Sequence, residues 1–324
     1  MKNYIYILIL SALTLGTWAC SSSDDGEPQE PPTNNTDGNK EPEYPQPQLP
    51  EFTNKRGIGY GFSKEGKNLV NDAKLLGEKT IHWVYNWGAD WNSELEAALN
   101  PYQKEFCPMA WNNNYDSNRI KAYKDGHSNC NYLLGFNEPN LTDQASLSPR
   151  TAAAYWPRLK TLAKNLNIKL ISPAMNYGTY PGYEDPIKWL DDFFAQPNVS
   201  IDDVDGIAVH CYMTNVSGLK GFIEKFEKYG KPIWLTEFCA WPENKAKISM
   251  DAQMNYMSEA LNYLESNPFI ERYAWYIPRF HGPVDNDEKI SNSLLTPESF
   301  TNKNYELSDL GKVYVNMSTL DKTV

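Results

Sequence analysis

Two glutamates stand at the ends of apolar runs. Glu138 follows Leu133-Leu134-Gly135-Phe136-Asn137 and precedes Pro139-Asn140, and Glu237 closes Ile233-Trp234-Leu235-Thr236 ahead of Phe238. A charged group in such a place is costly unless it opens into a site or is paired. Two carboxylates facing one another suit glycosidic-bond hydrolysis. One attacks the anomeric carbon; the other protonates the leaving oxygen and then activates water, with the carboxyls about 5–5.5 Å apart when configuration is retained. The plainer reading, surface acids favoured at helix N-termini by the macrodipole, serves either residue alone better than the pair.

Other residues suit the same chemistry. Asn137, directly before Glu138, is placed to hydrogen-bond a sugar 2-hydroxyl, a contact that strengthens in the transition state. Tyr212 is positioned to donate to Glu237 and hold it ionised. His210 shares the face of Tyr212 and reads equally well as a buried structural histidine. Aromatic residues collect at strand ends: Tyr85, Trp87, Trp111, Tyr177, Trp241, Trp275 and Tyr276. Sugar rings have apolar C–H faces that aromatic platforms bind without charge, and Trp275 is the expected floor of the cleaved-sugar subsite. Asn112, Asn113 and Asn176 are loop residues suited to hydroxyl contacts or to ordinary turns. Arg279 is left between a catalytic carboxylate and Asp285. The chain has four His and no His-Glu-x-x-His pattern, so no metal and no cofactor are expected. The acids Asp202, Asp203 and Asp205 lack calcium-loop spacing and read as solvated.

The elements that must hold these residues follow from periodicity. Strand candidates are 57–62, 82–87, 106–111, 132–137, 169–174, 206–212, 232–238 and 273–278. Between them run helical stripes: Tyr155, Leu159, Leu162 and Leu166; Leu219, Phe222, Ile223, Phe226 and Tyr229; Met250, Met254, Met257, Leu261 and Leu264. Spacings of three and four make these core faces packed on a sheet. Ser148-Pro149 and Ser217-Gly218 open helices, and Gly230 ends one before Lys231-Pro232. Strict alternation of strand and helix means a parallel sheet. Eight units in about 270 residues is the arithmetic of an α/β fold, a (β/α)8 TIM barrel forming a single catalytic domain. A doubly wound sheet is disfavoured because no glycine-rich phosphate loop follows the first strand. Strands four and seven lie three steps apart in a ring of eight, so Glu138 and Glu237 can face each other across its mouth.

The first fifty residues stand outside that pattern. Lys2 and the apolar stretch Ile5–Leu15 read as an export signal over residues 1–19, too short for a comfortable membrane span. The run Leu15-Gly-Thr-Trp-Ala-Cys20 resembles a bacterial lipobox, which implies a lipid on Cys20. Residues 20–50 are polar and proline-rich and read as a disordered tether, leaving 51–324 as the globular part. The implied location is the bacterial outer membrane at the cell surface, or facing the periplasm, with membrane contact through the anchor only. In 324 residues the net charge is −11, against a nucleic-acid partner. A monomer is expected. After Cys20 remain Cys107, Cys130, Cys211 and Cys239. Cys107 and Cys130 belong to neighbouring strands, as do Cys211 and Cys239, and an oxidising compartment permits disulfides, but adjacency does not give bond geometry.

The motifs in chain order resemble a known family. They are Arg56-Gly57-Ile58-Gly59, Trp83-Val84-Tyr85-Asn86-Trp87, Gly135-Phe136-Asn137-Glu138-Pro139-Asn140, Ser172-Pro173-Ala174, Val209-His210-Cys211-Tyr212 and Gly230-Lys231-Pro232-Ile233-Trp234-Leu235-Thr236-Glu237-Phe238. Asn-Glu-Pro and Thr-Glu-Phe are similar to glycoside hydrolase clan A, and the fuller set resembles glycoside hydrolase family 128, the alkali-sensitive-linkage-protein-like group. The resemblance spans about residues 56–280. It implies a retaining endo-β-1,3-glucanase acting on β-1,3-glucan, with Glu138 as acid/base and Glu237 as nucleophile. Cys211 departs from the family, where an aromatic residue is expected. Another clan A activity (β-mannanase or β-1,4-glucanase) and a non-catalytic glycan-binding lipoprotein are the rivals. A matched acid pair argues against the binder.

Overall fold

Eight short parallel strands carry the chain around a closed ring. They are β1 (Arg56–Gly59), β2 (Trp83–Tyr85), β3 (Glu105–Phe106), β4 (Tyr132–Leu133), β5 (Lys169–Leu170), β6 (Ile207–Cys211), β7 (Ile233–Phe238) and β8 (Ile270–Tyr276). Six of them hydrogen-bond in the order β3-β2-β1-β8-β7-β6, and β4 pairs with β5. The parallel bridges Met109 to Leu134 and Ile171 to Gly206 join that pair to both open edges. The ring order therefore follows the chain order, as in a (β/α)8 barrel. The computed structural model describes residues 53–61, 69–91, 93–241, 248–279, 292–301 and 304–317, all within one unit of the chain, residues 45–324. The export signal, Cys20 and the tether lie outside the described residues. No helix among the described residues is long and apolar enough to cross a membrane.

Strands β3, β4 and β5 are only two residues long, shorter than their apolar runs predict. Pro108 and Pro173 lack the N–H that a ladder needs. Separate bonds carry the chain onward, Leu134 N to Pro108 O and Ala174 N to Phe136 O, both 2.8 Å. At Gly135 an added Cβ would lie 2.8 Å from the Ile171 and Ser172 carbonyl oxygens. Only glycine permits that approach of backbones.

Around the ring pack α1 (Leu69–Leu76), α2 (Ser93–Leu99), α3 (Ser117–Gly126), α4 (Pro149–Leu166), α5 (Pro186–Phe194), α6 (Val216–Glu224) and α7 (Met250–Ser266), followed after β8 by α8 (Glu298–Thr301) and α9 (Asp309–Asn316). Helix α4 opens as its sequence predicts: Ser148 accepts from Thr151 N and Pro149 sits in the first turn. Helix α6 opens earlier than predicted, because Asn215 accepts from Gly218 N at 2.8 Å. Gly230, at φ 63°, closes the short 3-10 turn after it. Of the predicted stripes along α6 and α7, Leu219, Phe222, Ile223 and Phe226 and Met254, Met257, Leu261 and Leu264 are buried as expected, while Tyr229 and Met250 at their ends are only half-buried. The stripe of α4 needs a correction. Its buried face is Ala152, Trp156, Leu159 and Ala163, while Tyr155 stays 39% exposed. Trp156 sets that face by packing against Phe136 and Phe193.

The lumen is filled by side chains from alternate strand positions, including Trp83, Tyr132, Ile171, Ala208, Trp234 and Ala274. At its floor, where the strands begin, Arg272 lies over Tyr132, Trp234 and Trp83, with centroid distances of 4.5, 4.8 and 5.6 Å. Its guanidinium pairs with Glu105 at 2.6 Å. Cys107, Cys130, Cys211 and Cys239 are buried free thiols, so neither neighbouring pair is bridged. Arg279 meets Asp72 at 2.5 Å, and Asp72 also accepts from Tyr60. Asp285, the other carboxylate offered to Arg279, lies outside the described residues. The acids after α5 are not idle: Asp203 completes a capping box with Ser200, and Asp205 accepts from Leu170 N.

Candidate active site

Both glutamates stand at the mouth, where the strands end. Glu138 follows the bridge between Asn137 and Ala174, and its backbone is left-handed at φ 42°. A non-glycine residue rarely adopts that conformation without surrounding support. The support is local: Glu138 N donates to Ala174 O and Leu141 N donates to Glu138 O. Glu237 lies within β7, and its Cα partner in the register is His210 on β6. Both carboxylates are nearly buried, at 6% and 4% exposure.

His210 sits between them. Its Nδ1 is 2.9 Å from Glu138 Oε1, and its Nε2 is 3.4 Å from Glu237 Oε1. One carboxylate oxygen of each glutamate and a ring nitrogen of His210 all lie within 4.8 Å of one another. Around Glu237 three donors converge. Trp87 Nε1 donates to Oε1 at 2.7 Å and Tyr85 Oη to the same oxygen at 3.2 Å, while Tyr212 Oη donates to Oε2. Glu138 Oε1 also accepts from Asn176 Nδ2 at 3.1 Å. Trp87, like Glu138, holds a left-handed backbone, φ 60°.

Charge follows from burial. Desolvation raises the Glu237 carboxyl above its ordinary range. The His210 charge and the Tyr212 and Trp87 hydrogen bonds pull it back, while the Glu138 charge adds to the rise. Desolvation works against a charged His210, but the two carboxylates beside it outweigh that cost and raise its pKa. Burial and the neighbouring Glu237 charge push the Tyr85 and Tyr212 phenols well up. Both tyrosines therefore remain protonated donors.

The aromatic residues divide by position. Tyr85, Trp87 and Tyr276 form a chain of edge contacts at 5.0 and 5.9 Å. Tyr212 meets Tyr276 at 5.4 Å and Trp241 at 6.3 Å. Trp111 packs half-buried on the luminal cluster. Tyr177 stands further out, 45% exposed, against Phe222 with its hydroxyl on Lys225 Nζ. Trp275 needs correction as the floor of a sugar subsite. It is fully buried, packed against Phe238 and Tyr314, with Nε1 donating to Asn292 O. Successive strand residues point to opposite faces, and Tyr276 takes the place at the mouth.

Two polar residues have roles that the sequence left unread. Asn176, which its sequence context offers for hydroxyl contacts or an ordinary turn, holds Glu138. Gln144 accepts from Asn137 Nδ2 at 3.2 Å, brought back by the return of its loop (Ala145 N to Asn137 O). Nothing in the spacing marks Gln144 beforehand. Asn137 Oδ1 is buried with no hydrogen-bond partner.

Comparison with known proteins gives the family. A family model described as glycosyl hydrolase catalytic core matches residues 57–314. Alkali-sensitive linkage protein 1 of Schizosaccharomyces pombe is 28% identical over 267 residues, which is 80% of this chain and 43% of that protein. The chain thus spans less than half the length of that relative. A family 128 (subgroup II) endo-β-1,3-glucanase of Pseudomonas viridiflava is 33% identical, with a TM-score of 0.70 over 82% of this chain and 99% of that one. A subgroup I endo-β-1,3-glucanase of Amycolatopsis mediterranei, solved with laminaritriose, is 25% identical with a TM-score of 0.60 over 82% and 99%. This chain belongs to the glycosyl hydrolase catalytic core family, and within it to glycoside hydrolase family 128.

Proposed function

We propose that this protein is a retaining endo-β-1,3-glucanase with Glu237 as nucleophile and Glu138 as acid/base. The observation that carries the reading is the carboxylate pair, with an oxygen of each within 4.8 Å of the other. That spacing fits the ~5–5.5 Å of retaining enzymes, whereas inverting enzymes keep about 6.5–9.5 Å for a water. The roles follow from the donors. Tyr85, Trp87 and Tyr212 all donate to Glu237, which favours its charged, attacking form. Glu138 faces it from the segment after β4 and is held by Asn176 and His210. It gives its proton to the leaving oxygen as Glu237 bonds to the anomeric carbon. It then takes a proton from the water that releases the sugar. The unpartnered Asn137 Oδ1 is the acceptor that a sugar hydroxyl would satisfy.

The linkage rests on the relatives and on the cleft. Both solved enzymes cited above are endo-β-1,3-glucanases. A β-1,3 chain curves, so successive rings turn their faces and need platforms from several loops. Trp87, Trp111, Tyr177 and Trp241 follow four different strands and Tyr276 ends a fifth. The test compares laminarin, carboxymethylcellulose and mannan, with the anomer of the first product read by NMR. Release of β-product from laminarin alone supports the reading. Activity confined to cellulose or mannan overturns the substrate, and inverted product overturns the mechanism.

The lipid on Cys20, a monomeric barrel and a place on the outer membrane, at the cell surface, complete the proposal. A tether of thirty residues reaches about 30 Å r.m.s., enough to hold a barrel clear of a bilayer. Globomycin blocks lipoprotein signal cleavage and should leave a precursor. Normal release of a soluble form from Cys20→Ser would overturn the anchor.

A further inference from the structure

We infer that Asn176 is a positioning residue for proton transfer: its amide, together with His210, engages Glu138 Oε1 and leaves Oε2 as the oxygen that delivers the proton to the departing sugar. The inference rests on the acid/base role proposed above for Glu138. It adds which oxygen acts and which side chain makes it so.

Glu138 Oε1 is occupied twice. It accepts from Asn176 Nδ2 at 3.1 Å and lies 2.9 Å from His210 Nδ1. That nitrogen donates when it carries the proton, as its place beside two carboxylates favours. Two donors take both lone pairs of one carboxyl oxygen. Among the described residues no donor meets Oε2. Unlike Asn137 Oδ1, Oε2 is not a sealed atom without a partner, and the Glu138 side chain keeps 8% exposure. The proton of the acid form therefore sits on Oε2, the oxygen open to the mouth.

The Asn176 amide is held one way round. Its Oδ1 accepts from Tyr177 N at 2.8 Å, which commits the NH2 end to Glu138. The backbone is clamped as well. Asn176 O accepts from Asn140 Nδ2 at 2.7 Å, two residues past Glu138. On the other side His210 N donates to Met175 O at 2.8 Å. An added Cβ at Gly178 would lie 2.6 Å from both the side-chain nitrogen and the carbonyl oxygen of Asn140, so glycine lets this loop close on Asn140. The contact is also selective. His210 spans both carboxylates, and Tyr85, Trp87 and Tyr212 serve Glu237. Asn176 serves Glu138.

In the first step the glycosidic C–O bond breaks, the proton passes from Oε2 to the leaving oxygen, and Glu237 supplies the electron pair to the anomeric carbon. Glu138 gains negative charge as this happens. A donor already aimed at Oε1 holds that charge more strongly than it holds the neutral acid. The benefit exists only where the leaving oxygen needs the proton. A leaving group stable as an anion departs without it.

The test compares kcat/KM for laminarin, phenyl β-laminaribioside and 2,4-dinitrophenyl β-laminaribioside in the wild type, Asn176→Ala, Glu138→Gln and Thr179→Val. Thr179 shares the loop and bonds Thr142, so it is the control for disturbing the loop. Asn176→Ala should lower kcat/KM on laminarin and the phenyl glycoside by about ten- to a hundredfold, the range for a hydrogen bond to a charged group. The dinitrophenyl glycoside should stay within about twofold, because its departure needs no acid. Thr179→Val should leave all three substrates unchanged. Circular dichroism checks that each variant folds. If Asn176→Ala does not, Asn176→Asp, which keeps an acceptor for Tyr177 N, carries the comparison. An equal fall on all three substrates, no fall on laminarin, or the same pattern from Thr179→Val overturns the role of Asn176. Glu138→Gln separates this inference from the function beneath it, since it should show the same selectivity with a larger loss. If Glu138→Gln does so and Asn176→Ala does not, the role of Asn176 falls and the acid/base assignment stands. If Glu138→Gln cleaves laminarin like the wild type, or the wild type cleaves none of the three, the assignment falls and this inference with it.

Discussion

The floor and the mouth of the barrel are both lined by buried charge, yet they are wired in opposite ways. At the floor one cation, Arg272, is ion-paired with Glu105 and stacked among Trp83, Tyr132 and Trp234. Glu271 in turn accepts from Tyr132 and Trp234. Arg272, Glu105, Glu271, Tyr132 and Trp234 thus partner one another. At the mouth two carboxylates share one imidazole, the backbone at Glu138 and Trp87 is left-handed, and the buried Asn137 Oδ1 lacks a hydrogen-bond partner. The floor spends its polar groups on one another; the mouth leaves one for something yet to bind. Stability and chemistry thus occupy opposite ends of one lumen, as expected for this architecture.

The largest effect expected from breaking this division is at the mouth. Glu237→Gln keeps the shape and removes the attacking charge, so turnover should fall by about four orders of magnitude or more with oligosaccharide binding retained. Hydrolysis at an undiminished rate would remove Glu237 as nucleophile. At the floor, Arg272→Met strips Glu105 of its partner and three aromatic rings of their cation. Loss of one member of a buried pair costs about 3 kcal/mol or more. The melting temperature should drop while kcat of the folded fraction holds. A fall in kcat with an unchanged melting temperature would show that the two ends are not separate.

A smaller effect tests how Glu237 is kept charged. Tyr212→Phe removes a hydrogen bond that lowers the carboxyl pKa. The folded-state value, already raised by burial, should rise further. The nucleophile must be ionised, so activity is lost as pH falls through that value. The acid limb of the pH–rate profile should therefore move upward in the variant, and kcat should fall by roughly tenfold near neutral pH. The two limbs belong to the coupled pair rather than to single residues. A limb that stays in place would mean Tyr212 only packs.

Much of this was legible in the sequence, and the losses have physical causes. Eight strands could be counted because each apolar run is bounded by a helix of period 3.6. The two glutamates stood out because charge at a strand end demands a reason. What a single strand hides is its phase. In β8 the residues facing the lumen are Arg272, Ala274 and Tyr276, and those facing the helices are Tyr273 and Trp275. The greasier set points outward, because the lumen here is partly polar and both faces are buried. Alternation alone thus favours the wrong member of the pair Trp275 and Tyr276. The same one-residue ambiguity misplaced Tyr155 on α4. Arg279 and Asp72 come from opposite ends of the barrel sequence and meet only because the ring closes. Gln144 reaches Asn137 only through a loop return that spacing does not encode.

That phase reading leads to the smallest expected effect on catalysis. Trp275 lies behind the sheet, between Phe238 and Tyr314, and its Nε1 donates to Asn292 O at 2.8 Å. Trp275→Phe should therefore leave KM and kcat for laminarin within about twofold, since no atom at the mouth changes. It should instead lower stability by about 1–3 kcal/mol, from lost buried surface and an Asn292 carbonyl left without its donor. Tyr276→Phe is the matched variant on the other face. It keeps the ring in contact with Trp87 and Tyr212 but removes a hydroxyl at the mouth, so its effect should fall on kcat or KM and spare the melting temperature. Measured together, the two variants separate the faces of one strand. A Trp275→Phe enzyme that melts normally but binds laminarin poorly would reverse the assignment and put the indole back at the mouth.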